Sequence, residues 1–469
     1  MVFRALETAF RGLMAQQRAV DTANHNIANA NTPGFARQRV SLVPSMPYTV
    51  PAFNRSGLAG QVGTGVLVAS ITRVRESVFD LQYRVQSQAL GEASTLVDAY
   101  AQIEAVFNEP TEAGLGALLD RFWRAWQAVG NQPEDLAARA ALVQDATTLA
   151  TNLNRMRRQL AELRSDTVTK LTLQVSEVNS IAERLAVLNQ QIVAALATGQ
   201  TPNDLMDQRD LLLDKLARYT GATIRPLPNG AVNIYLGGYP LVDQDQWFPL
   251  SVQVSGGTAS VLWQGTSSPV ALERGSLQAL LQLHNTVLPG LVQKLEAIRD
   301  ALANEVNTLH ATGYGLTDPP PGPPPGRSFF QITAGGELEV EPILVADPQL
   351  IAAADAAGEP GNNAVARQIA ELRSKLVLNS GTATINDFYN TLVAEVGGAS
   401  QTAQVTRDNQ RALVEAIDRQ RQEIMAVSLD EEMANLIKYQ QAYGAAARAI
   451  TAVDEMLDRI INGMGLVGR

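Results

Sequence analysis

The stretch ANHNIANANTPGF, residues 23–35, determines how the N-terminal part of this sequence is interpreted. It holds four asparagines within eight residues and closes on a proline, a glycine and an aromatic residue. Asparagine favours caps and turns because its side chain competes for backbone hydrogen bonds, and proline and glycine also favour turns. The stretch therefore predicts the end of a helix followed by a turn that redirects the chain.

The residues before this turn keep the heptad spacing of a coiled coil, with steps of three and four between apolar positions. The predicted seam comprises Phe3, Leu6, Phe10, Leu13, Gln17, Val20, Asn24 and Ile27. A second seam lies at the other end of the chain and comprises Leu436, Tyr439, Tyr443, Ala446, Ile450, Val453, Leu457, Ile460 and Met464. Its helix begins at a capping box, SLDE, in residues 428–431.

Each of these two amphipathic helices needs a partner, because an isolated helix gains little without burying its apolar face. We therefore predict that the terminal helices pair as a coiled coil. The alternative is that each end packs separately on the middle of the chain.

Composition limits the possible functions. The formal net charge of −10 argues against nucleic acid as a partner, since phosphate binding needs a basic surface. The chain has no cysteine, and no apolar run is long enough to span a bilayer. Its three histidines are not spaced as metal ligands. We expect no enzymatic activity, no catalytic or cofactor-binding residue, no metal site, no cofactor and no membrane partner.

The middle of the chain alternates between helical and strand periodicity. Helical patterns cover residues 76–107, 115–129 and 133–199, and period-two patterns with two glycine turns cover 222–270. Helical patterns return at 276–311, 364–378, 385–396 and 400–427. Between them lies DPPPGPPPG, residues 318–326, which is typical of a stiff linker; binding to an SH3-like groove is the alternative.

We therefore predict a mainly α fold with a small β portion, elongated and multidomain. Its inner domain is discontinuous and contains the paired terminal helices, and its middle domain is helical and rod-like. The predicted boundaries are 1–75 plus 425–469 for the inner domain, 76–221 plus 271–424 for the helical domain, 222–270 for a small β unit, and 318–360 for a proline-rich linker and irregular segment.

Residues 23–40, ANHNIANANTPGFARQRV, resemble the N-terminal motif of the axial proteins of the bacterial flagellum, which include rod, hook and hook-associated proteins. Three further segments, residues 202–242, 287–316 and 428–450, resemble the hook-associated proteins of the hook–filament junction. The resemblance covers most of the chain. It also indicates that the β-rich outer domain of longer members is absent or vestigial here, with 318–360 as its remnant.

The resemblance implies a structural subunit of the hook–filament junction, which connects hook to filament and is required for filament assembly. Its implied partners are further copies in a ring-like layer, the hook protein below, the second junction protein above, a cytoplasmic export chaperone on the C-terminal helix, and the flagellar type III export apparatus. The protein would be extracellular in the flagellum and transiently cytoplasmic before export.

The resemblance also assigns an assembly role to the N-terminal motif and to the two seams. We expect the asparagine amides to hydrogen-bond backbone groups of the turn and of neighbouring subunits. The motif residues are Asn24, Asn26, Ile27, Asn29, Asn31, Thr32, Pro33, Gly34 and Phe35.

Three other functions remain open from the sequence. The chain could be another flagellar axial protein, from hook or rod, or a non-secreted coiled-coil adaptor. An enzyme would require ionisable side chains that converge from distant segments.

Overall fold

The computed structural model describes residues 2–47, 63–319 and 322–463. The chain divides into two compact units, which are residues 1–88, 178–249 and 411–469 (unit 1) and residues 89–177 and 250–410 (unit 2). The helices are α1 Val2–Ala28, α2 Ser77–Phe107, α3 Leu115–Asn131, α4 Leu136–Ala197, α5 Asn203–Tyr219, α6 Ser276–Gln282, α7 Leu288–His310, α8 Pro342–Ala346, α9 Ala364–Glu371, α10 Ile385–Met425 and α11 Leu429–Gly463. The mainly helical fold is confirmed.

All strand pairings within named sheets are antiparallel. The strands are β1 Gln38–Pro44, β2 Val66–Arg73, β3 Thr223–Pro226, β4 Val232–Leu236, β5 Tyr239–Asp243, β6 Gln246–Trp247, β7 Leu250–Ser255, β8 Thr258–Trp263, β9 Phe330–Ile332 and β10 Leu338–Val340.

In unit 1, α1 packs along α11, so the predicted pairing of the terminal helices is confirmed. Ser428 caps α11 as predicted, because its hydroxyl accepts a hydrogen bond from the Glu431 amide at 3.4 Å, whereas the Glu431 carboxylate pairs with Arg37. The β1–β2 ribbon follows α1, with Gln38 opposite Arg73 and a register shift after Ser41. A separate sheet has the strand order β3-β4-β5-β6.

The residues buried on α1 are not those of the predicted seam. Small side chains are enclosed instead, including Ala15, Ala19 and Ala23, together with Asn26. Phe3 is 74% exposed and Phe10 is 55% exposed, Asn24 is also exposed, and Leu6, Leu13, Val20 and Ile27 are half-buried. Within the chain the alanine face of α1 is the enclosed one, and Gln17 of the predicted seam is exposed as well. The assembly role of the seam residues remains a prediction.

The seam on α11 agrees better with its prediction. Leu436, Ile450 and Leu457 are half-buried, whereas Tyr443 and Ile460 are exposed. Met464 lies outside the described residues. Large apolar side chains also line other positions of α11 that face solvent, namely Leu429, Met433, Ile437, Met456 and Ile461.

Unit 2 is built around an aromatic centre. Phe122, Trp123 and Trp126 on α3 are buried, as their helical spacing predicts. They pack with Phe329 and Phe330, and the Trp126 and Phe329 ring centroids lie 5.1 Å apart. Asn154 on α4 fixes β10 to this core, since its amide donates to the Leu338 carbonyl at 2.8 Å and accepts from the Leu338 amide at 2.9 Å.

This core corrects the predicted linker at 318–360. Residues from Phe329 onward form β9, β10 and α8, and Phe329, Leu338, Leu344 and Ile351 are fully buried. The apolar residues that follow the proline run supply core side chains to unit 2. The prediction assigned them to a linker because the proline run precedes them. Residues 322–326 are exposed.

Two further boundaries differ from the sequence prediction. The β pattern of 222–270 forms two structures, a sheet from β3 to β6 in unit 1 and the β7–β8 hairpin in unit 2. The helix α10 runs through Gly397 and Gly398, which were predicted to end it. Two glycines cost about 2 kcal/mol of helix propensity, and buried Leu392 and Val396 before them and Ala403 after them hold the helix in place.

Candidate functional site

The turn after α1 is built by two of its four asparagines. Asn26 is buried and forms a paired contact with the backbone of β1, in which its amide donates to the Gln38 carbonyl at 2.8 Å and accepts from the Gln38 amide at 2.9 Å. Its amide also lies 3.2 Å from a carboxylate oxygen of buried Glu432, at the start of α11. Asn26 therefore joins α1, β1 and α11 at one point.

Asn29 organises the turn itself. Its side chain donates to the His25 carbonyl at 3.0 Å and accepts from the Thr32 hydroxyl at 3.1 Å, while the Phe35 amide donates to the Thr32 carbonyl at 3.2 Å. The His25 and Phe35 rings pack edge to face, with centroids 5.4 Å apart. Within the chain Asn29 therefore bonds the backbone at the end of α1 and Asn26 bonds that of β1. Hydrogen bonds from these amides to neighbouring subunits remain a prediction.

The remaining motif residues lie on the outside of the turn or fix its path. Asn24, Asn31, Thr32 and Pro33 are exposed, and Ile27 is half-buried. Gly34 has φ +81°, and a Cβ added there would lie 3.3 Å from the Leu211 side chain on α5. Glycine is therefore required at this position by both its backbone conformation and the closeness of α5. An assembly role for the motif residues remains a prediction.

A cluster of buried charged side chains connects the segments that follow this turn. The sequence analysis did not predict it. We call it the charge cluster; it joins the end of β2 and the first turns of α2 to α5 and to the end of α10. Its members are Arg73, Arg75, Asp80, Arg84, Asp207, Asp210, Asp214 and Arg421.

Direct ion pairs connect the members of this cluster. Arg73 contacts Asp207 at 2.7 Å and Asp210 at 2.8 Å, and Arg84 contacts Asp214 at 2.7 Å. Arg75 donates to both oxygens of Asp80, at 2.7 and 2.9 Å. Such a bidentate geometry is the one that best offsets the cost of burying charge.

The pKa values of the two carboxyls that pair with Arg73 shift in opposite directions. Burial raises the pKa of Asp207, and the Ala36 amide and the Arg73 guanidinium only partly oppose this effect. Burial also acts to raise the pKa of Asp210, but the charges of Arg75, Arg73 and Arg84 outweigh it and hold that pKa below its usual value. The Ala36 amide donates to Asp207 at 2.9 Å, which connects the charge cluster to the turn motif.

The surface of unit 1 carries many large apolar side chains. On α1 these are Phe3, Phe10 and Met14, and on α11 they include Met433 and Ile437. A second stripe lies on the first turns of α2 and comprises Val78, Leu81 and Val85. Apolar surface of this extent on paired helices marks sites of protein association.

No group of three or more His, Cys, Asp or Glu side chains in the described parts of the chain is placed to hold a metal ion. Among the described helices, none combines the length and apolar character that crossing a bilayer requires.

Comparison with known proteins first defines the class. Residues 6–35 match the family described as flagella basal body rod protein, and residues 419–463 match the family described as flagellar basal body rod FlgEFG protein C-terminal. These segments contain most of α1 with the turn motif and all of α11. The two ends are therefore those of a flagellar axial protein.

The middle of the chain and the full-length relatives define the family. Residues 100–330 match the flagellar hook-associated protein FlgK helical domain. The chain is 32% identical to flagellar hook-associated protein 1 of Bacillus subtilis, over 100% of this chain and 99% of the relative. It is 24% identical to the protein of that name from Salmonella typhimurium, over 97% of this chain and 98% of the relative. The chain belongs to the FlgK family of flagellar hook-associated proteins.

The fold agrees with this assignment. The solved structure of the flagellar hook junction protein FlgK from Burkholderia pseudomallei is similar, with a TM-score of 0.60 and 18% identity. The similarity covers 74% of this chain and all of the solved chain. The alignment with the Salmonella relative extends over 560 positions, whereas this chain has 469 residues, so the relative contains segments that this chain lacks.

Proposed function

We propose that this chain is a structural subunit of the bacterial flagellum at the hook–filament junction, where it connects hook to filament and supports filament assembly. Similarity to hook-associated protein 1 over the whole chain supports this function. The rod-protein families match only the two ends, which favours a hook-associated protein over a rod or hook protein. The same comparisons disfavour a non-secreted adaptor.

The observation that carries the proposal is the exposure of large apolar side chains on the paired terminal helices. Phe10, Met14, Met433 and Ile437 face solvent, with 43% or more of each residue exposed. In a layer of copies these faces would be covered, at about 1.5 to 3 kcal/mol for each large side chain that becomes fully buried. The copies would form a ring-like layer, with the hook protein below and the second junction protein above.

The route to this position is also part of the proposal. The chain would leave the cytoplasm unfolded through the flagellar type III export apparatus, directed by an uncleaved N-terminal segment. A cytoplasmic chaperone would cover the C-terminal helix before export, and the apolar side chains of α11 are suited to such a partner. The protein is then transiently cytoplasmic and finally extracellular.

Phe10 provides the test of assembly through these faces. Phe10→Asp should leave the stability of the purified monomer within about 0.5 kcal/mol of the unchanged protein, because the side chain is mostly exposed. In cells that make only this variant, attached filaments should be lost, since a carboxylate would be buried between copies. Stability is measured by urea unfolding, and filaments are counted by electron microscopy.

Phe10→Leu is the matched control, because it keeps an apolar side chain at the same position. It should support filaments at close to the normal number. Normal filaments in cells carrying Phe10→Asp would contradict assembly through this face of α1.

A further inference from the structure

Arg421 is the member of the charge cluster that comes from the C-terminal part of the chain, at the end of α10. Its guanidinium lies 2.8 Å from Asp214 on α5 and 3.6 Å from Asp80 on α2, and it stacks over the Tyr83 ring at 4.4 Å. The residue is only 7% exposed. On its own helix Arg421 also lies 3.8 Å from Asp418, whose side chain is 41% exposed and therefore lies at the edge of the cluster.

The charges of the cluster balance only when Arg421 is present. The passage from residue 73 to 84 supplies three arginines and one aspartate, and α5 supplies three aspartates. Arg421 is the fourth arginine among the eight members, so without it these members carry one uncompensated negative charge. Buried Arg209 of α5 is not a member, because its guanidinium donates to the Gly230 carbonyl at 2.6 Å. Leaving a buried carboxylate without its partner is strongly destabilising.

Backbone hydrogen bonds in the same region connect the segments next to the C-terminal end of α1 and the N-terminal end of α11. The Arg37 amide, just after the turn motif, donates to the Met425 carbonyl at the end of α10, at 2.9 Å. The Val74 amide donates in turn to the Arg37 carbonyl at 2.7 Å. Four residues after Met425, α11 begins. The docking of residues 411–425 therefore also fixes where α1 and α11 leave unit 1.

We propose that Arg421 is a completion latch, which allows unit 1 to close around the charge cluster only after the C-terminal passage has docked. A chain in which residues 411–425 are absent or undocked keeps α5 and the start of α2 open, because Asp214 is then left with Arg84 alone, Asp80 is left with Arg75 alone, and the cluster keeps one uncompensated negative charge. This inference concerns closure of unit 1 and does not depend on the junction role.

The test is hydrogen exchange on the full chain with Arg421→Gln. Amides of α5, Asn203–Tyr219, should exchange about ten times faster or more than in the unchanged protein, because the uncompensated charge favours local opening. Amides of α3 in unit 2 should keep their rates. Arg411→Gln is the matched control, since Arg411 lies on the same helix in an exposed ion pair with Glu415, and it should leave α5 unchanged.

A second variant separates charge balance from packing. Asp214→Asn combined with Arg421→Gln restores three arginines against three aspartates, and it should return α5 exchange to within about threefold of the original rate. Unchanged α5 exchange in Arg421→Gln would overturn the latch. So would a double variant that exchanges as fast as the single one, or that fails to fold when the single one also fails.

Discussion

Asn26→Asp should lower the free energy of unfolding of unit 1 by about 3 to 5 kcal/mol, an effect comparable to breaking a buried ion pair. The wild-type amide donates to the Gln38 carbonyl and to the Glu432 carboxylate. Aspartate has the same shape but no donor, so an acceptor would face the carbonyl and a negative charge would face Glu432. Packing would be unchanged, which assigns the loss to the lost hydrogen bonds and the new repulsion.

Asn24→Asp is the control for this substitution. Asn24 lies two residues earlier on α1 and is exposed, so the same chemical change should cost less than about 0.5 kcal/mol. Denaturant-dependent hydrogen exchange of the α1 amides measures both variants. Equal losses at the two positions would show that Asn26 does not join α1, β1 and α11 in the way described.

Unit 2 should lose about 3 kcal/mol of stability between pH 7 and pH 4 through His310 alone. Its Nδ1–H donates to the Arg327 carbonyl at 2.8 Å, and its Nε2 accepts from the Ala352 amide at 2.9 Å, so the folded unit requires the neutral ring. Burial, assisted by the charges of Arg327 and Arg139, lowers the pKa of His310 from 6.5 to about 4.

The sign of the effect follows from these two values. The folded unit binds the proton more weakly than the unfolded chain, so the contribution of His310 is complete above pH 6.5 and is lost as the pH falls toward 4. His310→Phe removes the titration, and this variant should be less stable at pH 7 but should show a flatter decline. Urea unfolding followed by tryptophan fluorescence compares the two proteins. Parallel declines would contradict the assignment to His310.

Patterns that depend on local chemistry were predictable from the sequence. The turn at Thr32, Pro33 and Gly34, the cap at Ser428 and the buried stripe of α3 follow from turn propensity, capping and helical period. Pairing of the terminal helices followed from the need to bury two amphipathic faces. The sequence also carried the family resemblance, which the full-length comparison confirmed.

What the sequence did not reveal depends on contacts between distant segments. The alanine face of α1 is enclosed while Phe3 and Phe10 are exposed, and an apolar count cannot distinguish a face covered within the chain from one left exposed. The charge cluster joins residues more than 100 positions apart, such as Arg84 and Asp214. Three aspartates spaced three and four apart on α5 were its only local signal.

Cysteine cross-linking in assembled flagella tests most directly that the exposed faces of the terminal helices meet between copies. The chain contains no cysteine, so Phe10→Cys and Ile437→Cys introduce single thiols without background. Each variant carries one thiol per chain, so any disulfide must join two molecules, and both positions are exposed and therefore accessible. We expect cross-linked oligomers from intact flagella and only monomer from the dilute purified protein. Only monomer from intact flagella, at both positions, would contradict the account.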